Sequence, residues 1–273
     1  MKKALAILLS TLMLLALAAC GGSTGTSSTP VSGPASASET PTIDAIKAAG
    51  KLVMLTNATF PPYEYFTDTY QGVDIDLAQM IADELGVELV VEDMDFDLLI
   101  EALNLEKGNI VAAGMSITAE RAEAVDFTIP YVDSTLVIVV PEGSDIQSAE
   151  DLAGKRIAVQ ESTTSDLYVS GEIDAGEIVR MKNAVDTGAA LLANKADAIV
   201  MDILTAESIV AANEGEMFIL EEPLAVEQYA MAIKKGQEDF VALVNSVLQK
   251  AVDAGTVEEL IAYHMQNAQD AAA

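Results

Sequence analysis

Residues 110–121 read IVAAGMSITAER. An apolar run from Ile110 to Ala113 ends like a buried strand, Gly114 turns the chain, and a helix begins near Thr118 with Arg121 one turn inside it. A strand that hands over to a helix in this way leaves backbone N–H groups facing the space beyond the sheet, and such helix starts attract anions. The planar fork of Arg121 can close on a carboxylate already met by the Ser116 and Thr118 hydroxyls and nearby amides. Taken alone, a Thr-x-x-Arg pattern is most often a capped helix with a solvated arginine, so the reading depends on what surrounds it.

The stretch continues through VDFTIPYV, Val125 to Val132. GMSITAERAEAVDFTIPY closely resembles the signature of solute-binding protein family 3, the polar amino-acid receptors of ABC importers. GVDIDLAQMIADELGV, from Gly72, is a second match, and the resemblance spans residues 43 to 266. It implies an α/β fold of the periplasmic-binding-protein type II: a two-lobed clamshell, each lobe a mainly parallel sheet flanked by helices, with two hinge crossings. It implies that Ser116 and Arg121, with Thr164, hold the α-carboxylate of a free amino acid, and that Asp202 and Gly114 meet its α-ammonium. Phe60 and Phe96 take the positions of rings stacked on the ligand. Asn57, Thr163 and Gln160 take positions facing its side chain.

Upstream of the central stretch, the residues support an α/β lobe. A short helix to Ala49 precedes a buried strand from Leu52 to Thr56. TNATFPPYEY, 56–65, then leaves the strand end as a loop, because its two prolines exclude a helix. A helix carries Leu77, Met80, Ile81 and Leu85 at helical spacing up to a stop at Gly86, with Asp74 and Asp76 read as helix-start charges. Strand 87–91, a helix from 95 to 103 and strand 110–113 complete the rhythm, which implies parallel pairing with right-handed crossovers.

Downstream, Pro130-Tyr131 and Leu136 to Val140 read as an extended segment leaving the first sheet, and VEQYAMAIKKG, 226–236, as a strand returning to it. The lobes expected are 43–134 with 227–273, and 135–226. A single continuous sheet without a hinge stays open at this point. Inside the bracket, strand 157–160 runs into a second helix start at Thr163 and Asp166. Gln160, Thr163 and Thr164 match the family's Q-x-G-T-T, while Ser162 replaces its glycine. A further strand from Ala196 ends at Asp202, which without the resemblance reads as a helix cap. Helices 239–254 and 257–265 close the chain, with His264 read as a helix-end residue.

The chain's own start reads as a targeting segment. Lys2 and Lys3, an apolar run to Leu17 and Leu-Ala-Ala-Cys ending at Cys20 resemble a bacterial lipobox, so 1–20 is expected to be a lipoprotein signal with Cys20 lipidated. Ser/Thr/Gly/Pro-rich residues 21–42 are the expected flexible tether. The protein is therefore expected outside the cytoplasm, anchored to the cell membrane by lipid.

The formal charge is −29, which disfavours nucleic acid and anionic membrane as partners. With one cysteine and one histidine, neither a metal cluster nor a Ser/His/Asp or Cys/His nucleophile set is expected, nor any cofactor. The partners expected are a free amino acid and ABC permease subunits, for a chain acting as a monomer and not as an enzyme. Two alternatives carry over from the scaffold: a cyclohexadienyl dehydratase-like enzyme, which would share the carboxylate clamp, and a ligand-sensing receptor domain. Asn57, where cationic receptors usually have aspartate, favours a neutral polar solute such as glutamine. Glu64 or Glu161 reaching the solute side chain would favour a cationic one.

Overall fold

The structure, a computed structural model, describes residues 42–272, with side chains described to 268. The signal 1–20, its Cys20 and the tether up to residue 41 lie outside the described residues. No helix among the described residues is long and apolar enough to cross a membrane.

Two separate sheets carry the chain, which removes the single-sheet alternative. The first runs in the order Glu88–Asp93, Lys51–Thr56, Ile110–Val111, Ala232–Lys234, Val125–Phe127. Its first three strands are parallel, and Ala232–Lys234 is antiparallel to both neighbours. The second runs Glu177–Met181, Arg156–Gln160, Ala198–Asp202, Val132–Pro141, Met217–Ile219. Here too the first three are parallel, and the long Val132–Pro141 is antiparallel to three strands, Ala225–Tyr229 being the third. Each lobe is thus a mainly parallel sheet. Leu52, Met54 and Leu55 are all fully buried, as a strand covered by helices on both faces requires. Helix Val73–Leu85 covers one face with Leu77, Ala78 and Ile81.

Three expectations are corrected. VEQYAMAIKKG is not one strand: Ala225–Tyr229 pairs in the second sheet and Ala232–Lys234 in the first, with buried Ala230 and Met231 between them. The other crossing is bonded to this one, because Thr128 N donates to Met231 O and Tyr131 N to Tyr229 O, each at 3.0 Å. Residues 56–65 are not a plain loop either. Thr59–Phe60, Glu64–Phe66 and Tyr70–Gln71 form a small antiparallel sheet. His264 lies within helix Thr256–Ala272 and is only 3% exposed; its ring contacts the Tyr65 hydroxyl at 3.1 Å and Asp76 Oδ2 at 2.9 Å. Asp76 thereby pins two helices together, beyond its place in a helix's first turn.

Candidate functional site

The strand ends of the two sheets face one another, and the site is built where they meet. Thr118 caps helix Ala119–Ala124, its Oγ1 accepting from Arg121 N at 3.1 Å. Arg121 itself is buried. Its Nη1 donates to Ser116 O at 2.7 Å, its Nη2 to Ser162 O at 3.1 Å, and its guanidinium stands 5.2 Å from the centre of the Phe96 ring. Burial lowers its pKa, while the nearby Glu227 and Asp202 carboxylates act to raise it.

Gly114 turns with φ 51°, and a Cβ there would stand 2.7 Å from the Phe60 ring, so the turn and the ring are fitted to the absence of a side chain. Its N–H donates to Asp74 Oδ2 at 2.9 Å. Asp74 is therefore more than a helix-start charge. It is fully buried, accepts the Tyr131 hydroxyl at 2.7 Å on its other oxygen, and has its pKa raised by burial to about 6. Beside it Glu64 is buried as well. Burial first and Asp74 next push its carboxyl well above the usual range, and its Oε2 has no hydrogen-bond partner.

From the second sheet, Arg156–Gln160 delivers Gln160, whose Nε2 donates across the cleft to Asn57 Oδ1 at 2.8 Å. Asn57 also accepts from the Thr59 hydroxyl at 2.8 Å and donates to Met94 O at 2.9 Å. Ser162 sits at φ 63°, and Thr163 caps the helix that Thr164 opens. Asp202, at the end of Ala198–Asp202, makes no side-chain cap bond to the helix that follows. It accepts from the Tyr229 hydroxyl and from Ser134 Oγ at 3.3 Å. Burial, with Glu227 as the next cause, raises its pKa to about 8.

The residues singled out from the sequence are brought together. Asn57, Phe60, Phe96, Gly114, Ser116 and Arg121 from one side, and Gln160, Thr163, Thr164 and Asp202 from the other, line one cavity with Glu64 and Ala113. Its volume is about 10 Å³, room for no more than a single water. The lobes are closed on each other, and the Gln160–Asn57 and Arg121–Ser162 bonds cross between them. Glu161 stays outside, paired with Lys182, which also reaches Asp97 at 3.0 Å on the facing lobe.

One residue that the sequence reading passed over is central. Glu227 Oε2 accepts from Ser116 Oγ at 2.7 Å and from Thr164 Oγ1 at 2.9 Å. A signal for it does exist in the strand: Val226 is 78% exposed while Glu227 shares the inward face with buried Tyr229, an inverted alternation. Among the described residues, no group of three or more His, Cys, Asp or Glu side chains is arranged to hold a metal ion.

Comparison with known proteins places this geometry. The sequence profile of the bacterial extracellular solute-binding proteins, family 3, matches residues 52–267. The arginine-binding extracellular protein ArtP of Bacillus subtilis (strain 168) is 31% identical over 268 residues, 95% of this chain and 96% of its own. The arginine-bound form of a truncated ArgBP from T. maritima superposes with a TM-score of 0.73 at 41% identity, covering 76% of this chain and 99% of that one. The ancestral amino acid-binding protein AncCDT-1, a precursor of cyclohexadienyl dehydratase, superposes with a TM-score of 0.76 at 31% identity, covering 82% and 99%.

Proposed function

We propose, from the premise that the chain belongs to the bacterial extracellular solute-binding proteins, family 3, that it is the extracytoplasmic receptor of an ABC importer and captures a free cationic amino acid, L-arginine first among them. The observation that carries the choice of solute is Glu64, which lines the cavity and whose buried Oε2 has no hydrogen-bond partner. An unsatisfied buried oxygen costs about 1–3 kcal/mol, which a guanidinium or ammonium donor would remove. This moves the weight from glutamine to a cation, because the preference for a neutral side chain depended on Glu64 staying clear of the site. Asn57 does not oppose the change, since its amide is already bonded to Met94, Thr59 and Gln160. The relatives named for arginine support the same choice.

Arg121 from one lobe and Asp202 from the other take the two α-groups, and Phe60 and Phe96 flank the aliphatic stem. The lobes divide as 43–134 with 227–273, and 135–226, and rotate about the two crossings that Thr128 and Met231 join. A solute gripped by both sides favours closure to the extent that it binds the closed form better. The closed form docks on the permease. Cys20 carries lipid and 21–42 form the tether, so the receptor works as a membrane-anchored monomer.

The test is thermal unfolding of residues 43–273 against a panel of free amino acids and prephenate. L-arginine should raise the midpoint most, since a ligand bound only by the folded form stabilises it in proportion to the logarithm of its concentration over Kd. A response to glutamine alone would overturn the cationic choice. A response to prephenate alone would favour the enzyme.

A further inference from the structure

Lys182 follows the strand Glu177–Met181 of the second sheet, is half exposed, and is not among the walls of the cavity. Its Nζ stands 2.9 Å from Glu161 Oε2 on its own lobe, and 3.0 and 3.6 Å from Asp97 Oδ2 and Asp95 Oδ2 on the facing one. One ammonium thus closes a seam between three carboxylates, in a chain with 14 basic and 43 acidic residues. The same segment is tied across the cleft at two further points. Gln160 Nε2 donates both to Lys182 O at 3.1 Å and to Asn57 Oδ1 at 2.8 Å, and Ala184 N donates to Thr59 Oγ1 at 3.2 Å. Asp95 and Asp97 bracket Phe96, whose ring lines the cavity and lies against the Arg121 guanidinium. Whatever holds the two acids therefore holds the ring between them.

An exposed ion pair by itself contributes little. Lys182 differs in what its loss would leave: Asp95 and Asp97 facing Glu161 over the seam with no ammonium between them, so that an attraction between the lobes becomes a repulsion. The pair with Glu161 lies within one lobe and survives opening, whereas the contacts with Asp95 and Asp97 exist only while the lobes are together. They therefore slow opening more than they speed encounter. We propose that Lys182 is the latch of the closed cleft: a positioning residue that touches no solute, grips Asp95 and Asp97 of the facing lobe, keeps the Phe96 ring over the bound solute through them, and so sets how fast the solute leaves. This rests on the amino-acid reading above.

The test follows L-arginine association and dissociation by stopped-flow tyrosine fluorescence, and affinity by titration calorimetry, for the wild type, Lys182→Met and Lys182→Arg at low and high NaCl. Lys182→Met should release L-arginine about three- to tenfold faster, with association within about twofold, and Lys182→Arg, which restores the charge, should release it within about twofold of wild type. Salt should speed release from the wild type by screening the attraction, and should slow it or leave it unchanged in Lys182→Met, where only repulsion is left to screen. Adding Asp97→Asn to Lys182→Met should bring no further acceleration, because the pair is already broken. Release from Lys182→Met at the wild-type rate overturns the latch. Faster release that Lys182→Arg does not restore, or that keeps the wild-type response to salt, marks a merely structural role and overturns it as well. Where the panel singles out another amino acid, that one replaces L-arginine. A wild type that binds no free amino acid overturns the receptor reading and the latch with it, whereas a wild type that binds while Lys182→Met changes nothing overturns the latch alone. A melting midpoint for each variant guards against misfolding, and Lys182→Gln decides if Lys182→Met does not fold.

Discussion

Ser162 holds φ 63°, and an L-residue in that region costs about 1–2 kcal/mol. Part of that is recovered because serine loses less conformational freedom on folding than glycine does. Ser162→Gly should therefore stabilise the protein by about 0.5–1 kcal/mol, a rise of roughly 2 °C in the melting midpoint. Its carbonyl would still accept from Arg121, so amino-acid affinity should stay within about twofold; an unchanged or lowered midpoint would refute the strain. At this scale the sequence was legible where a residue type and its spacing carry the chemistry, as with Arg121 after the strand end and Asp202 at the end of another. It was opaque where the role depends on what lies behind. Asp74 looks like any acid in a helix's first turn, and only the fold reveals it buried beneath Gly114 and Tyr131. Glu227 is hidden the same way, its meaning residing in two hydroxyls 111 and 63 positions away.

Elements were read well where periodicity runs long. Helix Val73–Leu85 and the buried strand Lys51–Thr56 follow from spacing alone, and both deliver their ends to the cleft. The crossing was misread because Tyr229 to Ile233 is uniformly apolar, and a run of buried residues looks the same whether it pairs with one sheet or changes from one to another. The small sheet around Phe60 was missed because its strands are only two or three residues long. The opening segment belongs to this scale as well, since its reading depends on an apolar run ending at a cysteine. Replacing Cys20 by serine should release the protein from the membrane fraction into the medium or periplasm; retention in membranes on fractionation would rule out the lipid anchor.

For the molecule as a whole, burial of acids sets how stability depends on pH. Asp74, Glu64 and Asp202 all have folded-state pKa values above their ordinary ones, to about 6 for Asp74 and about 8 for Asp202. The native state then holds protons that the unfolded chain releases, so stability is highest below the ordinary carboxylate range and falls as pH rises toward the folded values. The shift of Asp74 alone corresponds to on the order of 3 kcal/mol. Without a solute, the melting midpoint should drop by roughly 5–10 °C between pH 5 and pH 8. A flat or rising profile over that range would show that these carboxyls are ionised in the native state.

The buried carboxyl of Glu64 beside the cavity has a meaning for traffic as well as for grip. Burial raises the pKa of this carboxyl, so an arriving guanidinium competes with a proton for it and capture is tied to the acidity of the surroundings. Loading would then release acid to the surroundings, and acid surroundings would favour unloading.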